Sequence, residues 1–291
     1  MNYFTSASLD KASCLNLRYQ QENLKGYCDS PITSLRLGPV SISTDLVQNL
    51  PLQLEILEWD LGNEPILNDE ALVSLFRRSS IRQLSLKFRN SNVVQSLKRT
   101  LPYAENLKIL DMSGNFIGDE GVSEIIDSIL QSNVESLKLG LNYITDVGAL
   151  HLAKMVSDPS CGLLNLDLNC NLIGNSGGNA LATALKENKF LKGLVLFGNS
   201  QLSCGDEFVA CLKVNSSLYD WNLQRTNMTV CEIALINYWL MLNKSGRRIL
   251  TNDKLPSSVW PHFLERQKDS KQDILFYFLS QKPELMLRQG Q

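Results

Sequence analysis

The side chains able to do acid–base, nucleophilic or metal chemistry are few and scattered. Seven cysteines stand at 14, 28, 161, 170, 204, 211 and 231, and the two histidines are His151 and His262. Cys204 and Cys211 are seven residues apart, so one helix face would carry both thiolates, the soft ligands a zinc ion takes. Such a site needs two further ligands, and the sequence places none nearby, so core packing is the better reading of this pair. Cys170 precedes Asn171 in the turn and is placed for partial exposure, with a redox role as the minor alternative. His151 falls in a segment of helical spacing and reads as a surface or half-buried structural residue rather than a catalytic one. There is no G-x-S-x-G to raise a nucleophile and no G-x-x-x-x-G-K-[ST] to hold a nucleotide. Gly177 and Gly178 read as turn glycines rather than a phosphate cradle. The expectation is a chain without catalytic residues, cofactor or metal.

Composition narrows the partners. Lys and Arg number 28 against 30 Asp and Glu, for a net charge of −2, and a nucleic-acid binder would carry a basic excess. The cysteine count is odd, and no basic start followed by an apolar run opens the chain, which argues against a secreted disulfide framework. No run of 18 apolar residues occurs, so no membrane helix is expected. These features predict a monomeric cytoplasmic or nuclear chain with free, mostly buried thiols and a protein as its partner.

The elements that position these side chains follow from an internal repeat. Leu107, Leu110, Met112 and Asn115 fit the template L-x-x-L-x-L-x-x-N. It returns at Val134, Leu137, Leu139 and Asn142, at Leu163, Leu166, Leu168 and Asn171, and at Leu191, Leu194, Leu196 and Asn199. The steps between these asparagines are 27, 29 and 28 residues. Weaker copies begin at Ile32, Leu54, Ile81 and Leu218, three of them with the asparagine displaced to Asn63, Asn90 and Asn227; a degenerate ninth surrounds Leu15 and Leu17. Leucines two apart place two apolar side chains on one face of a short strand. The asparagine ends that strand in a turn, where its amide serves backbone groups, here expected to be those of the next coil. Asn115, Asn142, Asn171 and Asn199 would stack as a ladder.

The second half of each repeat reads as helix. Val122, Ile125, Ile126 and Ile129 recur at helical spacing after Ile117-Gly-Asp119-Glu-Gly121, with Asp119 as the N-cap. Asn115-Phe-Ile-Gly-Asp-Glu-Gly121 and Asn142-Tyr-Ile-Thr-Asp-Val-Gly148 resemble the ribonuclease-inhibitor class of leucine-rich repeats. The resemblance is specific over 107–202 and looser over 31–106 and 203–243. It implies an α/β solenoid, a horseshoe with parallel inner strands and outer helices, and it says little about function.

The ends read differently. Residues 1–30 form an N-terminal cap or degenerate repeat, 31–243 the solenoid of about eight repeats, and 244–291 a C-terminal helical cap. Trp239 and Trp260 would seal that cap, whereas Trp59 and Trp221 occupy leucine positions and fill the core. Tyr238-Trp239-Leu240, Gly246-Arg247, Leu255-Pro256, Trp260-Pro261, Leu275-Phe276-Tyr277 and Lys282-Pro283-Glu284-Leu285 resemble the tail of uncharacterised algal leucine-rich-repeat proteins, a resemblance that implies no biochemical role.

The strand residues facing away from the core would present a binding strip, concave in a horseshoe and roughly 35 to 40 Å long for eight strands. It carries Glu58, Asp60, Lys87, Asp111, Lys138, Asp167, Asn169, Phe197 and Asn222, with Phe197, Asp167, Asn169 and Lys138 as the centre of a partner site. The function this predicts is a non-catalytic protein-binding scaffold or adaptor. The alternative is a regulator of a small GTPase, because an activating protein of that kind uses the same repeat class. The acidic C-terminal tail of that kind of protein has no counterpart here.

Overall fold

A computed structural model describes residues 14–17, 32–38, 42–62, 68–77, 80–89, 92–247, 276, 277 and 280. Contacts divide the chain into two compact units, Met1–Asn142 and Tyr143–Gln291.

The first unit is a parallel sheet with its strands in chain order. These are β1 (Cys14–Leu17), β2 (Ser34–Leu37), β3 (Ile56–Gly62), β4 (Gln83–Phe88), β5 (Ile109–Asp111) and β6 (Ser136–Lys138). Between them run α1 (Thr44–Gln48), α2 (Asp69–Phe76), α3 (Asn92–Thr100) and α4 (Gly118–Leu130). The register is set by the template leucines: Leu35 lies opposite Leu57, Leu57 opposite Leu84, Leu84 opposite Leu110 and Leu110 opposite Leu137. A slip of one residue would turn this apolar row outward, and every one of these leucines is buried. The degenerate first repeat has its strand too, with Leu15 opposite Leu35 and Leu17 opposite Leu37.

The second unit repeats the plan with α5 (Asp146–Ser157), β7 (Asn165–Asp167), α6 (Asn175–Glu187), β8 (Gly193–Val195), α7 (Gly205–Val214), β9 (Asp220–Asn222) and α8 (Val230–Lys244). Leu166, Leu194 and Trp221 are register partners across β7, β8 and β9. Trp59 and Trp221 are both buried at leucine positions, and the Trp221 ring packs 4.5 Å from that of Phe208. The fold is an α/β leucine-rich-repeat solenoid.

The four asparagines form the expected ladder, but each reaches back to the preceding coil rather than forward to the next. The Asn142 Oδ1 accepts from the Asn115 N–H at 2.9 Å, and its Nδ2 donates to the Met112 carbonyl at 2.9 Å. Asn115 does the same toward Phe88 and Leu86, Asn199 toward Ile173 and Leu168, and the Oδ1 of Asn171 accepts from Ile144. The direction follows from chain travel: the turn rises toward the next repeat, so the unpaired N–H groups within reach lie behind the side chain. In the β9 repeat Thr226 stands at the ladder position, and its Oγ1 donates to the Leu223 carbonyl of its own coil at 2.7 Å. Asn227 is exposed and bonds through its backbone instead. Asn63 and Asn90 lie outside the described residues.

Three further expectations change. Asp119 lies inside α4, whose N-cap is Ile117, with no side-chain cap bond; the Gly118 N–H is held by the Asn142 carbonyl at 2.9 Å, so the helix starts before the aspartate is reached. Gly177 and Gly178 belong to the first turn of α6 rather than to a turn between elements. A Cβ on Gly177 would stand 2.7 Å from the Ala149 Cβ and 2.8 Å from an Asp146 oxygen, so glycine is what lets α6 approach α5. Asp146 uses that approach: its Oδ1 accepts from the N–H groups of Gly174 and Gly177, capping α6 from the repeat before it. Of the predicted C-terminal cap, only Lys244 to Arg247, Phe276, Tyr277 and Ser280 are described. Trp239 packs edge-on against Tyr277 at 6.0 Å, and Trp260 lies outside the described residues.

Candidate functional site

Strand residues turned from the helices carry the candidate side chains, and each unit presents its own set. In the first unit the short strands end in a recurring device. The Asp111 Oδ1 accepts from the Ser113 N–H two residues on, and Asp60 accepts from the Gly62 N–H in the same way. Such a turn satisfies a backbone donor where the strand ladder stops. The charges also find one another across neighbouring strands: Arg36 pairs with Glu58, and the Lys138 Nζ stands 3.5 Å from the Asp111 Oδ2. These pairs are solvent-exposed and contribute little stability, about 0–1 kcal/mol each. Lys87 is exposed on β4, with no ion pair among the described residues.

In the second unit Asp167 and Asn222 end their strands with the same turn, bonding the N–H groups of Asn169 and Gln224. The Asn169 side chain also donates to Asp167 at 2.8 Å, so these two predicted site residues form one locked group. Phe197 is half-buried, and the guanidinium carbon of Arg225 lies 5.2 Å from the centre of its ring. That is the geometry of a cation–π contact. Asp167, Asn169, Phe197 and Asn222 therefore share the face of the β7, β8 and β9 repeats.

Arg225 was missing from the sequence reading. Its backbone is left-handed, φ 57°, and so is that of the residue just before the ladder position in four other repeats: Gly114, Leu141, Cys170 and Gly198. Glycine at two of the five was the available signal, and it was obscured by Leu, Cys and Arg at the rest. A second ladder went unseen as well. Asn188 and Asn215 cap the C-terminal ends of α6 and α7, and each accepts from the template leucine three residues on, Leu191 and Leu218. Their Nδ2 groups donate back to the Val156 and Leu185 carbonyls, and Asn243 continues the row onto the Asn215 carbonyl. The recurrent N-x-x-L at 188–191 and 215–218 was its trace in the sequence.

Three of the described cysteines are buried. Burial pushes the Cys204 and Cys211 thiols up to about 12 and raises Cys161 as well, so these groups stay protonated and poorly nucleophilic. Cys161, Cys170, Cys204, Cys211 and Cys231 are free thiols. Among the described residues no cluster of three His, Cys, Asp or Glu could hold a metal ion, and no helix is long and apolar enough to cross a membrane. His151 is half-buried on α5, and His262 lies outside the described residues.

Comparison with known proteins agrees with the repeat. The family model described as Leucine Rich repeat matches residues 103–125 and 131–153. The chain is 26% identical over 225 residues to the human NACHT, LRR and PYD domains-containing protein 5, covering 65% of this chain and 18% of that protein. It is 29% identical over 133 residues to the ribonuclease inhibitor of Sus scrofa, covering 44% and 29%. It is 28% identical over 108 residues to RAN GTPase-activating protein 2 of Arabidopsis thaliana, covering 37% and 19%. The chain thus spans less than a third of the length of each of these relatives. The matched spans fall on the β5 and β6 repeats, and the chain is similar there to leucine-rich-repeat proteins.

Proposed function

We propose that this chain is a non-catalytic protein-binding scaffold or adaptor that meets its partner with the side chains its strands turn away from the helices. Leucine-rich repeats generally mediate contact between proteins. The observation that carries the reading here is the Phe197–Arg225 pair. Aromatic and arginine side chains dominate binding hot spots, and this pair stands on the β8 and β9 repeats beside the locked Asp167–Asn169 group. Five free thiols, three of them buried and held protonated, suit a reducing compartment such as the cytoplasm or nucleus. Phe197→Asp tests the assignment. Affinity capture with quantitative mass spectrometry should recover a partner with the wild-type chain and lose it with the folded variant. A partner retained equally by both would remove the Phe197 face from the interaction.

A second reading, an activating regulator of a small GTPase, is favoured by the similarity to RAN GTPase-activating protein 2. Single-turnover GTP hydrolysis by a panel of small GTPases tests it directly. Faster hydrolysis in the presence of the chain supports it, and unchanged rates across the panel dismiss it.

A further inference from the structure

The strand face of the first unit changes construction between β4 and β5. β3 and β4 run on to Gly62 and Phe88, whereas β5 stops at Asp111. The buried alternation continues through Leu57, Trp59 and Leu61 on β3 and through Leu84, Leu86 and Phe88 on β4. The period of two therefore sends Lys87 and then Arg89 to the opposite face, and both are exposed. Beyond β5 the chain has already entered its turn, and Gly114, Asn115 and Phe116 stand opposite the extra length of β4. The mismatch opens a cleft of about 480 Å3.

The charge of its lining is basic. Four cations of this unit pair with the protein's own carboxylates, Arg36–Glu58, Arg99–Asp69, Lys108–Glu135 and Lys138–Asp111. Lys87 and Arg89 make no such pair among the described residues. Asp60 is the register partner of Lys87 and lines the same cleft, but one of its oxygens is held by the Gly62 N–H at 2.9 Å. Two cations against one carboxylate leave the lining net positive. The wall opposite is Phe116, 67% exposed and with φ 56°. Tyr143, which likewise follows a ladder asparagine, has the same left-handed backbone at φ 58°. The turn of the repeat therefore sets this conformation and leaves the ring exposed.

The geometry points to this cleft as the docking site for an acidic segment of a protein partner, with a carboxylate held by Lys87 and Arg89 and an adjoining apolar side chain laid against Phe116. It rests on the protein-binding reading above and supplies the chemistry of the partner. A basic cleft with an aromatic wall selects against neutral and basic segments, since an unpaired cation beside them gains nothing. Because the cations are exposed, the contact weakens as salt rises.

The test uses the full chain and three unlabelled peptides: acetyl-Gly-Phe-Glu-Glu-Gly-amide, its Phe-Gln-Gln counterpart and its Ala-Glu-Glu counterpart. Amide shifts in a nitrogen-15 NMR titration read both affinity and place. The Phe-Glu-Glu peptide should shift the amides of Lys87, Arg89 and Phe116 saturably. The Phe-Gln-Gln and Ala-Glu-Glu peptides should each bind at least about fivefold more weakly. Lys87→Glu with Arg89→Glu should abolish the shifts, and the milder Lys87→Gln with Arg89→Gln should weaken them, with the melting midpoint unchanged because both side chains are exposed. Equal binding of the Glu and Gln peptides, shifts that map elsewhere, or no saturation would each overturn the site. The partner-capture experiment is read separately. A partner that the wild type captures and that the Lys87→Glu/Arg89→Glu chain still captures, with flat peptide titrations, removes this cleft and leaves the scaffold reading standing.

Discussion

Arg247 is 1% exposed, and its guanidinium carbon lies 4.8 Å from the centre of the Trp239 ring. The same group donates to the Leu212 and Asn215 carbonyls at 2.6 and 2.5 Å and to the Lys213 carbonyl at 3.4 Å. It thus closes the end of α7, where unpaired carbonyls gather negative partial charge, and Trp239 and Tyr277 shield it from water. Burial holds its pKa below the usual arginine range. Lysine offers one compact ammonium instead of a planar fork and cannot serve three carbonyls while stacking on a ring. Arg247→Lys is therefore expected to cost about 2–4 kcal/mol, because buried carbonyls would lose their donors. Urea unfolding measures it; a midpoint equal to that of the wild type would show that the arginine is dispensable.

Asn142 is fully buried, and its amide serves Asn115, Ile117, Met112 and Gly140. Asn142→Ala leaves buried donors and acceptors unpaired, and the expected loss is about 3 kcal/mol. Asn227→Ala is the matched control, since Asn227 is exposed and its side chain stands outside the ladder. Thermal melts should separate the two clearly, and equal midpoints would mean that the ladder does not hold the coils together.

Glycine and leucine should trade their usual ranking at two positions. Gly177→Ala improves helix propensity by about 1 kcal/mol, yet the new methyl would stand 2.7 Å from the Ala149 Cβ. Overpacking of this kind costs about 1–3 kcal/mol, so a net destabilisation is expected. Leu141 is 55% exposed with φ 58°, and Leu141→Gly relieves a left-handed backbone at little cost in packing. It should be neutral or raise stability by up to about 1 kcal/mol. Calorimetric midpoints moving in the opposite directions would refute both arguments.

Acid should weaken the fold through at least two carboxylates. The Arg99 side chain holds the Asp69 pKa below its ordinary value, and the hydroxyl and N–H of Thr229 hold that of Glu232 down in a capping box at the start of α8. A carboxylate whose folded pKa is depressed adds stability that is present above its unfolded pKa. That stability is lost as pH falls through the folded value. Both groups are largely solvent-facing, so each share is modest. Stability measured from pH 6 down to pH 3 should fall less steeply in Asp69→Asn and Glu232→Gln than in the wild type. An acid limb of the same slope would show that these contacts do not couple to folding.

What the sequence determined by itself is whatever depends on local period. Leucines two apart and the return of asparagine every 27 to 29 residues define strand faces, their register and the ladder, because a single coil cannot bury its own apolar face without neighbours. Trp59 and Trp221 were legible as core residues on the same ground. The candidate strip was legible only as a set of outward positions. Period tells which way Glu58 or Asp111 points, but not that Arg36 and Lys138 on the adjacent strands will pair with them.

Tertiary structure alone decided the rest. The turn carries the chain upward, so Asn142 bonds the coil behind it. A left-handed residue precedes each ladder position whether or not glycine is there, because stacking neighbours impose the turn and override the preference of Leu141, Cys170 or Arg225. Arg225 meets Phe197, and Arg247 meets Trp239 and Tyr277, through contacts between side chains 28, 8 and 30 residues apart. No local rule of propensity or spacing encodes such meetings. The Arg225–Phe197 contact arises because parallel coils stack at the separation of neighbouring strands, about 4.8 Å, and the Arg247 contacts because the chain beyond α8 packs back against that helix.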